Sequence, residues 1–303
     1  MSGTSRLHAR RRALAQLSAL AGTCATPRAR GATKSAPQDL ASLARRIERD
    51  IGGRLGVCVV RPNDGRWSYR ADERFPLCSV FKAIAAAAVL ARVDRGELRL
   101  EQRIAFTRAD LLAHSPVTET RADGDGMMLV ELCAAAMTLS DNTAGNLLLR
   151  ELGGPAGFTA YVRSLGDTVT RLDRWEPELN EARPGDPRDT TSPAAMGALF
   201  TQLLFAERLA PVSRERWTDW LLGNRTGDAR LRAGVPQDWR IGDKTGTGQQ
   251  GATLDVAVLW PPGRRPLVAA VCIRDSAATL ERRNAAIAAV GRALPRLIGI
   301  RGA

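Results

Sequence analysis

The sequence predicts a mixed α/β (α+β) fold, in which an antiparallel sheet is flanked by N- and C-terminal helices and an all-helical domain is inserted between its strands. Strand patterns occur near both ends of the 303-residue chain, at residues 55–60, 66–71, 239–247, 253–260 and 267–273. From about residue 79 to residue 222 the chain shows mainly helical patterns with polar loops. Strands at both ends with helices between them indicate an interrupted sheet domain.

Each element of the sheet domain has a local signal. Apolar residues at helical spacing predict a first helix over residues 38–51, which Gly52-Gly53 ends. Pro62-Asn63-Asp64-Gly65 is a turn signal that joins the first two strands as a hairpin. A segment rich in alanine and arginine, about 277–294, predicts the closing helix.

These signals divide the chain into three parts. We expect an export signal peptide at residues 1–36, a sheet domain made of residues 37–76 and 222–303, and a helical domain at 77–221. Within the helical domain, residues 171–191 form an irregular stretch that is too long for a plain connection, which favours a functional role.

The N-terminal segment has the features of a targeting sequence. Arg10-Arg11-Arg12 precede a modest apolar stretch at residues 13–22, and small residues and Pro27 follow. The paired arginines fit a Tat signal, a Sec signal fits nearly as well, and a disordered basic tail is the structural alternative. No later stretch reaches the ~20 apolar residues of a membrane span. We therefore expect a periplasmic or secreted protein with no stable membrane association.

The net charge of +12 would be compatible with a nucleic-acid-binding protein, but the charge is unevenly distributed. Seven cationic residues precede Asp39, and without them the net charge is +5. The rest of the chain has no dense Lys/Arg run interleaved with aromatic residues, which make up 5% of the sequence. We expect no nucleic-acid partner.

Histidine and cysteine usage argues against a metal site. No pair among the five cysteines has zinc-ligand spacing. His8 lies in the predicted leader, so a Ser-His-Asp triad would depend on His114 alone, which we interpret as a surface or pocket-rim residue. The sequence therefore predicts no metal or cofactor, and it leaves a lysine or a carboxylate as the catalytic base.

Ser79 and Lys82 stand at the start of the long apolar run 83–90. If this run is a helix, Ser79 lies on its first turn, and the Lys82 amine lies beside the Ser79 hydroxyl because residues three apart share a helix face. Free backbone N–H groups at that helix end can hold a developing oxyanion. This pattern predicts an activated nucleophile, although S-x-x-K alone is a weak signal.

Two further stretches carry polar groups. Ser140-Asp141-Asn142 lies between two predicted helices, where a helix N-cap is the structural alternative. Residues 243–248 (Asp-Lys-Thr-Gly-Thr-Gly) end a predicted strand; the glycines allow close approach to the backbone, and the lysine and threonines offer donors to an anion. A strand followed by a turn is the alternative there.

Taken together, these motifs resemble those of the class A serine β-lactamases. S-x-x-K at 79–82, S-D-N at 140–142 and K-T-G at 244–246 follow the family's order and approximate spacing. The E-P-E-L-N of the family's omega loop appears at residues 176–180. The resemblance covers essentially all of the mature chain and implies hydrolysis of a β-lactam amide through a serine acyl-enzyme.

The resemblance also implies roles for individual residues. Ser79 would be the nucleophile, Lys82 would assist its deprotonation, and Glu176 would activate the deacylating water. Ser140 would pass a proton to the lactam nitrogen. Asn180 would hold the water with Glu176, and the N–H of Thr247 would contribute to the oxyanion hole. The residues implied in substrate binding are Asn142, Lys244, Thr245, Gly246 and Thr247. Arg174 and Asp189 would form the ion pair that closes the neck of the omega loop.

Departures from the family pattern limit this transfer. Thr253 stands where many relatives place a carboxylate-binding arginine, and Arg230 is our candidate substitute. Ala86 stands where some relatives have the cysteine that pairs with Cys133, and Gly248 stands where others have the partner of Cys78. We therefore expect no disulfide.

Two other functions remain open at this level. A penicillin-binding D,D-peptidase or sensor domain shares the serine, the lysine and K-T-G, but it would normally lack Glu176 in an omega loop. A non-catalytic, basic surface-binding protein would explain the charge but not the ordered motifs. We expect a monomeric enzyme that gives resistance to penicillins, and the sequence leaves cephalosporin and carbapenem hydrolysis open.

Overall fold

The computed structural model describes residues 35–62 and 64–300. The strands are β1 (Arg54–Arg61), β2 (Gly65–Tyr69), β3 (Phe75–Pro76), β4 (Arg103–Ile104), β5 (Met127–Met128), β6 (Thr190–Thr191), β7 (Arg240–Thr247), β8 (Thr253–Trp260) and β9 (Leu267–Arg274). The helices are α1 (Ser35–Ile51), α2 (Phe81–Asp94), α3 (Leu129–Thr138), α4 (Asn142–Leu152), α5 (Gly154–Ser164), α6 (Pro193–Phe205), α7 (Pro211–Leu222) and α8 (Leu280–Leu297).

Strands from both ends of the chain form one five-stranded antiparallel sheet in the order β2-β1-β9-β8-β7. This confirms the predicted fold class. The bounds of β8 agree with the prediction, whereas β2 ends at Tyr69, two residues before the predicted end. Arg70 has a φ of 45°, a left-handed conformation that cannot continue the strand.

The sheet separates two apolar cores because side chains alternate across each strand. On β8, Leu254, Val256 and Val258 face the helical part of the molecule. Ala257 and Leu259 face the opposite core, which includes residues of α1 and α8. The N- and C-terminal helices therefore cover one face of the sheet, as predicted.

Helix α2 lies inside the helical part of the molecule. All residues from Phe81 to Ala91 are buried, as expected for a helix that is apolar on every side. Ser79 lies in a 3₁₀ turn (Cys78–Val80) directly before α2, not in the first α-helical turn as the sequence suggested. The tighter turn continues into the helix, a common form of helix N-terminus.

Both terminal helices differ in extent from their predictions. Helix α1 begins at Ser35, so the last two residues of the predicted signal peptide belong to it, and residues 1–34 lie outside the described part. Helix α8 is shifted toward the C-terminus, since Thr279 caps it by accepting a hydrogen bond from Arg282 N at 3.3 Å. Among the described residues, no helix has both the length and the apolar character needed to cross a membrane.

Candidate active site

Lys82 is the centre of the polar cluster beneath Ser79. Its Nζ donates to Ser79 Oγ at 3.0 Å, to the Ser140 carbonyl at 2.8 Å and to Asn142 Oδ1 at 2.6 Å. Glu176 Oε1 is 3.1 Å from the same nitrogen. Lys82 thus brings together three of the motifs that the sequence analysis singled out.

Both lysines of the site are fully buried, and burial lowers the pKa of each. For Lys82, burial outweighs the attraction of Glu176, so its pKa is below the ordinary lysine value. For Lys244, burial together with repulsion by Lys82 and Arg230 lowers the pKa to about 7. An amine with such a pKa can exchange protons near neutral pH.

Glu176 is positioned by two asparagines. Asn180 Nδ2 donates to Glu176 Oε2, and the other carboxylate oxygen, Oε1, lies 3.3 Å from Ser79 Oγ. Asn146 holds the main chain of Glu176, accepting from its N–H at 3.0 Å and donating to its carbonyl at 2.9 Å. The peptide bond from Glu176 to Pro177 is cis. Sequence reasoning missed Asn146, whose one available signal was its place one helical turn after Asn142 on α4.

The neck of the omega loop is closed by the predicted ion pair. Arg174 Nε lies 2.6 Å from Asp189 Oδ2, which confirms this contact. The other carboxylate oxygen of Asp189 accepts from the main-chain N–H groups of Asp173 and Arg174 at 2.7 and 2.9 Å. The Asp189 carbonyl accepts from Leu77 N at 2.7 Å, so the same residue anchors the segment that leads to Ser79.

The Ser140-Asp141-Asn142 junction fits both interpretations of its sequence. Asp141 caps α4 by accepting from Ala144 N at 2.8 Å, as the structural alternative required. Ser140 on one side has a φ of 58°, and its hydroxyl accepts from Lys244 Nζ at 3.1 Å. Asn142 on the other side contacts Lys82. The cap and the polar cluster therefore share one turn.

Strand β7 brings the K-T-G residues against the Ser79 turn. A Cβ atom at Gly246 would lie 3.1 Å from Cys78 Cβ and 3.2 Å from a methyl of Val80, so a larger residue would push the strand away. Lys244 and Thr245 are buried, while Thr247 is exposed at the end of the strand. Glycine at 246 allows this close approach.

Arg230 lies buried under the end of β7. It donates to the Gly246 carbonyl at 2.9 Å and to Thr247 Oγ1 at 2.6 Å. Sequence reasoning missed a second arginine, Arg283 of α8, which donates to Thr253 Oγ1 at 2.8 Å. Thr253, which stands where many relatives have an arginine, is thus contacted by an arginine from another element.

The remaining candidates lie at the edge of the cluster. The His114 side chain is exposed, as expected, with Nε2 3.1 Å from the Leu139 carbonyl. Four cysteines are buried free thiols (Cys58, Cys78, Cys133 and Cys272), and Cys24 lies outside the described residues. Within residues 35–62 and 64–300, no three His, Cys, Asp or Glu side chains are grouped so that they could hold a metal ion.

Comparison with known proteins identifies the family. The family described as the β-lactamase enzyme family matches residues 38–298, nearly the whole described chain. The chain belongs to the β-lactamase family. It is similar to β-lactamase AST-1 of Nocardia asteroides, with 47% identity over 279 residues that cover 92% of this chain and 89% of that relative.

Solved class A β-lactamases have the same fold. An ancestral enzyme, called GNCA, superposes with a TM-score of 0.83 at 59% identity, covering 85% of this chain and 99% of the ancestral chain. The putative class A β-lactamase PenP of Rhodopseudomonas palustris gives a TM-score of 0.83 at 51% identity, covering 85% and 99%. The protein is accordingly a class A serine β-lactamase, a hydrolase of the β-lactam bond. This family membership supports neither the D,D-peptidase alternative nor the surface-binding alternative.

Proposed function

We propose that Ser79 attacks the β-lactam carbonyl carbon and forms the acyl-enzyme. The single observation that carries this proposal is the convergence of Lys82 Nζ and Glu176 Oε1 on Ser79 Oγ, at 3.0 and 3.3 Å. Both groups are within reach of the hydroxyl proton, and the lowered pKa of Lys82 favours its action as a base. The base of the acylation step is therefore this pair.

The tetrahedral oxygen would be held by the main-chain N–H groups of Ser79 and Thr247. Ser79 N belongs to the first turn before α2, where N–H groups lack helical acceptors. Thr247 is brought near by the close packing of Gly246 on Cys78. One such donor contributes ~3–4 kcal/mol to the transition state.

Collapse of the intermediate requires a proton on the lactam nitrogen. Ser140 is suited to this transfer because its hydroxyl lies 3.1 Å from Lys244 Nζ, while the bond from Lys82 Nζ to its carbonyl, at 2.8 Å, holds its main chain in place. A proton lost by the Ser140 hydroxyl can thus be replaced from Lys244. No other donor is needed for the leaving group.

Deacylation would use a water held by Glu176 and Asn180. The direct contact of Asn180 Nδ2 with Glu176 Oε2 supports this role, since the two side chains already share one site. Asn146 fixes the main chain of Glu176 on the helix that carries Asn142. Glu176 would take a proton from this water as the water attacks the acyl carbon.

The substrate carboxylate would bind at β7. Lys244, Thr245 and Thr247 supply a cation and two hydroxyls, and Gly246 lets the substrate approach the strand. Arg230 adds positive charge directly beneath Thr247. Asn142 is available to hydrogen-bond the side-chain amide of the substrate.

The decisive experiment compares wild type with Glu176→Ala on a penicillin, by stopped-flow absorbance and intact-protein mass spectrometry. Wild type should turn over without accumulating an adduct. The variant should still be acylated at Ser79 but should accumulate the acyl-enzyme, because it lacks the base for deacylation.

Glu178→Ala is a matched control, since Glu178 is an exposed glutamate two residues along the same loop. It should turn over like wild type. A long-lived adduct in wild type would favour the penicillin-binding alternative, and equal turnover in wild type and Glu176→Ala would contradict the role of Glu176.

We further propose that penicillins are the first substrate class and that cephalosporins are the second class to be tested. The enzyme would act as a monomer, in the periplasm or outside the cell. The basic N-terminal segment supports export by the Tat or Sec route. Replacing Arg11 and Arg12 by lysine should retain the enzyme in the cytoplasm if the route is Tat. Unchanged export of that variant would favour Sec.

A further inference from the structure

A cavity of about 420 Å³ lies where the omega loop meets the ends of β1 and β9. None of Ser79, Lys82, Ser140, Glu176 or Lys244 lines it. Its wall contains four acidic residues and six arginines, namely Arg54, Arg74, Arg174, Arg183, Arg188 and Arg274. We refer to it as the arginine cleft.

Guanidinium groups outnumber carboxylates in the arginine cleft. Glu73 is shared by Arg54 at 3.1 Å and Arg274 at 3.5 Å. It also pairs with Arg70 at 2.9 Å. Arg274 also pairs with Asp275, and Arg70 with Glu48 at 2.9 Å, so Arg74 is the arginine on the sheet side that no carboxylate of the described residues contacts.

Arg74 in the cleft keeps unused capacity to bind an anion. Arg74 donates from one terminal nitrogen to two neutral acceptors, the Val169 carbonyl and Thr190 Oγ1, both at 2.9 Å. A guanidinium has five N–H donors, so Arg74 has donors left for an anion in the cleft.

We propose that the arginine cleft binds a compact multivalent oxyanion of the diphosphate class. Planar guanidinium groups match pairs of phosphoryl oxygens, and such charge-assisted bonds are among the strongest polar contacts in proteins. Arg183 and Arg188 reach the cleft from the omega loop, whereas Arg54 and Arg274 reach it from the sheet. A ligand with two linked anionic groups can bridge the two sides.

An anion in this cleft would brace the loop that carries Glu176. Asp189 lines the cleft, and its carbonyl accepts from Leu77 N at 2.7 Å. Leu179 also lines it and precedes Asn180, the partner of Glu176. Binding should therefore change the deacylation rate; this consequence rests on the proposed role of Glu176, whereas binding itself does not.

Inorganic pyrophosphate is the probe, titrated into the full-length protein at constant ionic strength and followed by calorimetry. We expect one molecule bound per chain, and a rise in the thermal midpoint because the ligand binds the folded state. The double variant Arg54→Gln, Arg183→Gln should bind at least roughly tenfold more weakly, since it loses two charge-assisted contacts.

The matched control is Arg264→Gln, Arg265→Gln, which removes the same charge from two exposed arginines in the turn before β9, at the far end of that strand from Arg274. It should keep the wild-type affinity. Thermal melting without pyrophosphate checks that both double variants fold.

Three outcomes would overturn the proposal. The first is that wild type does not bind pyrophosphate. The second is that both double variants bind it equally weakly. The third is that Lys244→Ala loses binding while the double variant Arg54→Gln, Arg183→Gln retains it. The last result would place the anion at the catalytic cluster instead. If pyrophosphate binds in the cleft but the deacylation rate does not change, the binding site is supported and its coupling to Glu176 is contradicted.

Discussion

Two buried lysines set the electrostatics of the polar cluster around Ser79 at the scale of single residues. Lys82 and Lys244 are both fully buried, and the charge of Lys82 helps burial to lower the pKa of Lys244. An arriving substrate carboxylate would relieve this repulsion and raise the pKa of Lys244. The free enzyme and its substrate complex should therefore differ in their response to pH.

The first prediction concerns this difference. In free enzyme Lys244 has a pKa of about 7, so it is a cation below that pH and loses its charge above it. Because the cation attracts the substrate carboxylate, kcat/KM should fall above pH 7 by at most about tenfold per pH unit. In contrast, kcat should fall only at higher pH. Steady-state kinetics across pH 5–10 on a penicillin measure both profiles.

Lys244→Arg is the control for this profile. A guanidinium keeps its charge to much higher pH than a buried amine. The falling part of the kcat/KM profile should therefore move to higher pH or disappear in the variant. An unchanged profile would assign the titration to another group.

At the scale of elements, the omega loop depends on a few polar contacts rather than on regular structure. The Arg174–Asp189 pair closes its neck, and Asn146 of α4 fixes its main chain at Glu176. Leu179 is buried beneath it in the helical core. Loss of one of these polar contacts should displace Glu176 and leave Ser79 and Lys82 in place.

Asp189→Ala tests this dependence. Asp189 is 1% exposed, and its removal leaves Arg174 and two main-chain N–H groups without their acceptor. We expect a loss of about 3 kcal/mol in the free energy of unfolding, measured by urea denaturation. Deacylation should slow much more than acylation, which single-turnover kinetics can separate.

Arg188→Ala provides the comparison on the same loop. Arg188 pairs with Asp186 at 2.7 Å; its side chain is 46% exposed, and pairs at the surface contribute about 0–1 kcal/mol. Its removal should leave the deacylation rate near that of wild type. Similar kinetic effects in both variants would show that the neck pair has no special role.

The sequence predicted those elements whose signals are local. A run of strand-forming residues located β8, and the capping preference of Asp141 located the start of α4. Asn146 had only the signal of its place one helical turn after Asn142, and Arg283 had none, because their partners lie 30 residues away on other elements. The arginine cleft was hidden for the same reason: its arginines are dispersed along the chain and meet only after folding.

At the scale of the whole molecule, α2 is a helix without a free face. Ala85, Ala86 and Ala87 are fully buried, and Trp217 donates from Nε1 to the Ala83 carbonyl at 2.9 Å. Small side chains let the neighbouring helices approach α2 closely. The position of Ser79 and Lys82 thus depends on the packing of the entire helical part.

Ala86→Leu should therefore destabilise the protein by about 1–3 kcal/mol through overpacking, visible as a lower thermal midpoint. Ala285→Leu places the same side chain on the exposed face of α8 and should change stability by less than about 0.5 kcal/mol. Equal midpoints for the two variants would mean that α2 can shift to accommodate added volume.

The central place of β9 in the sheet has a consequence for biosynthesis. This strand pairs with β1 on one side and β8 on the other, yet it is synthesised long after β1. A nascent chain that has not reached β7 already contains Ser79, Lys82 and Glu176 but lacks Lys244. The sheet can therefore be completed only after the ribosome has made β9, and translation products that end before β7 should be inactive.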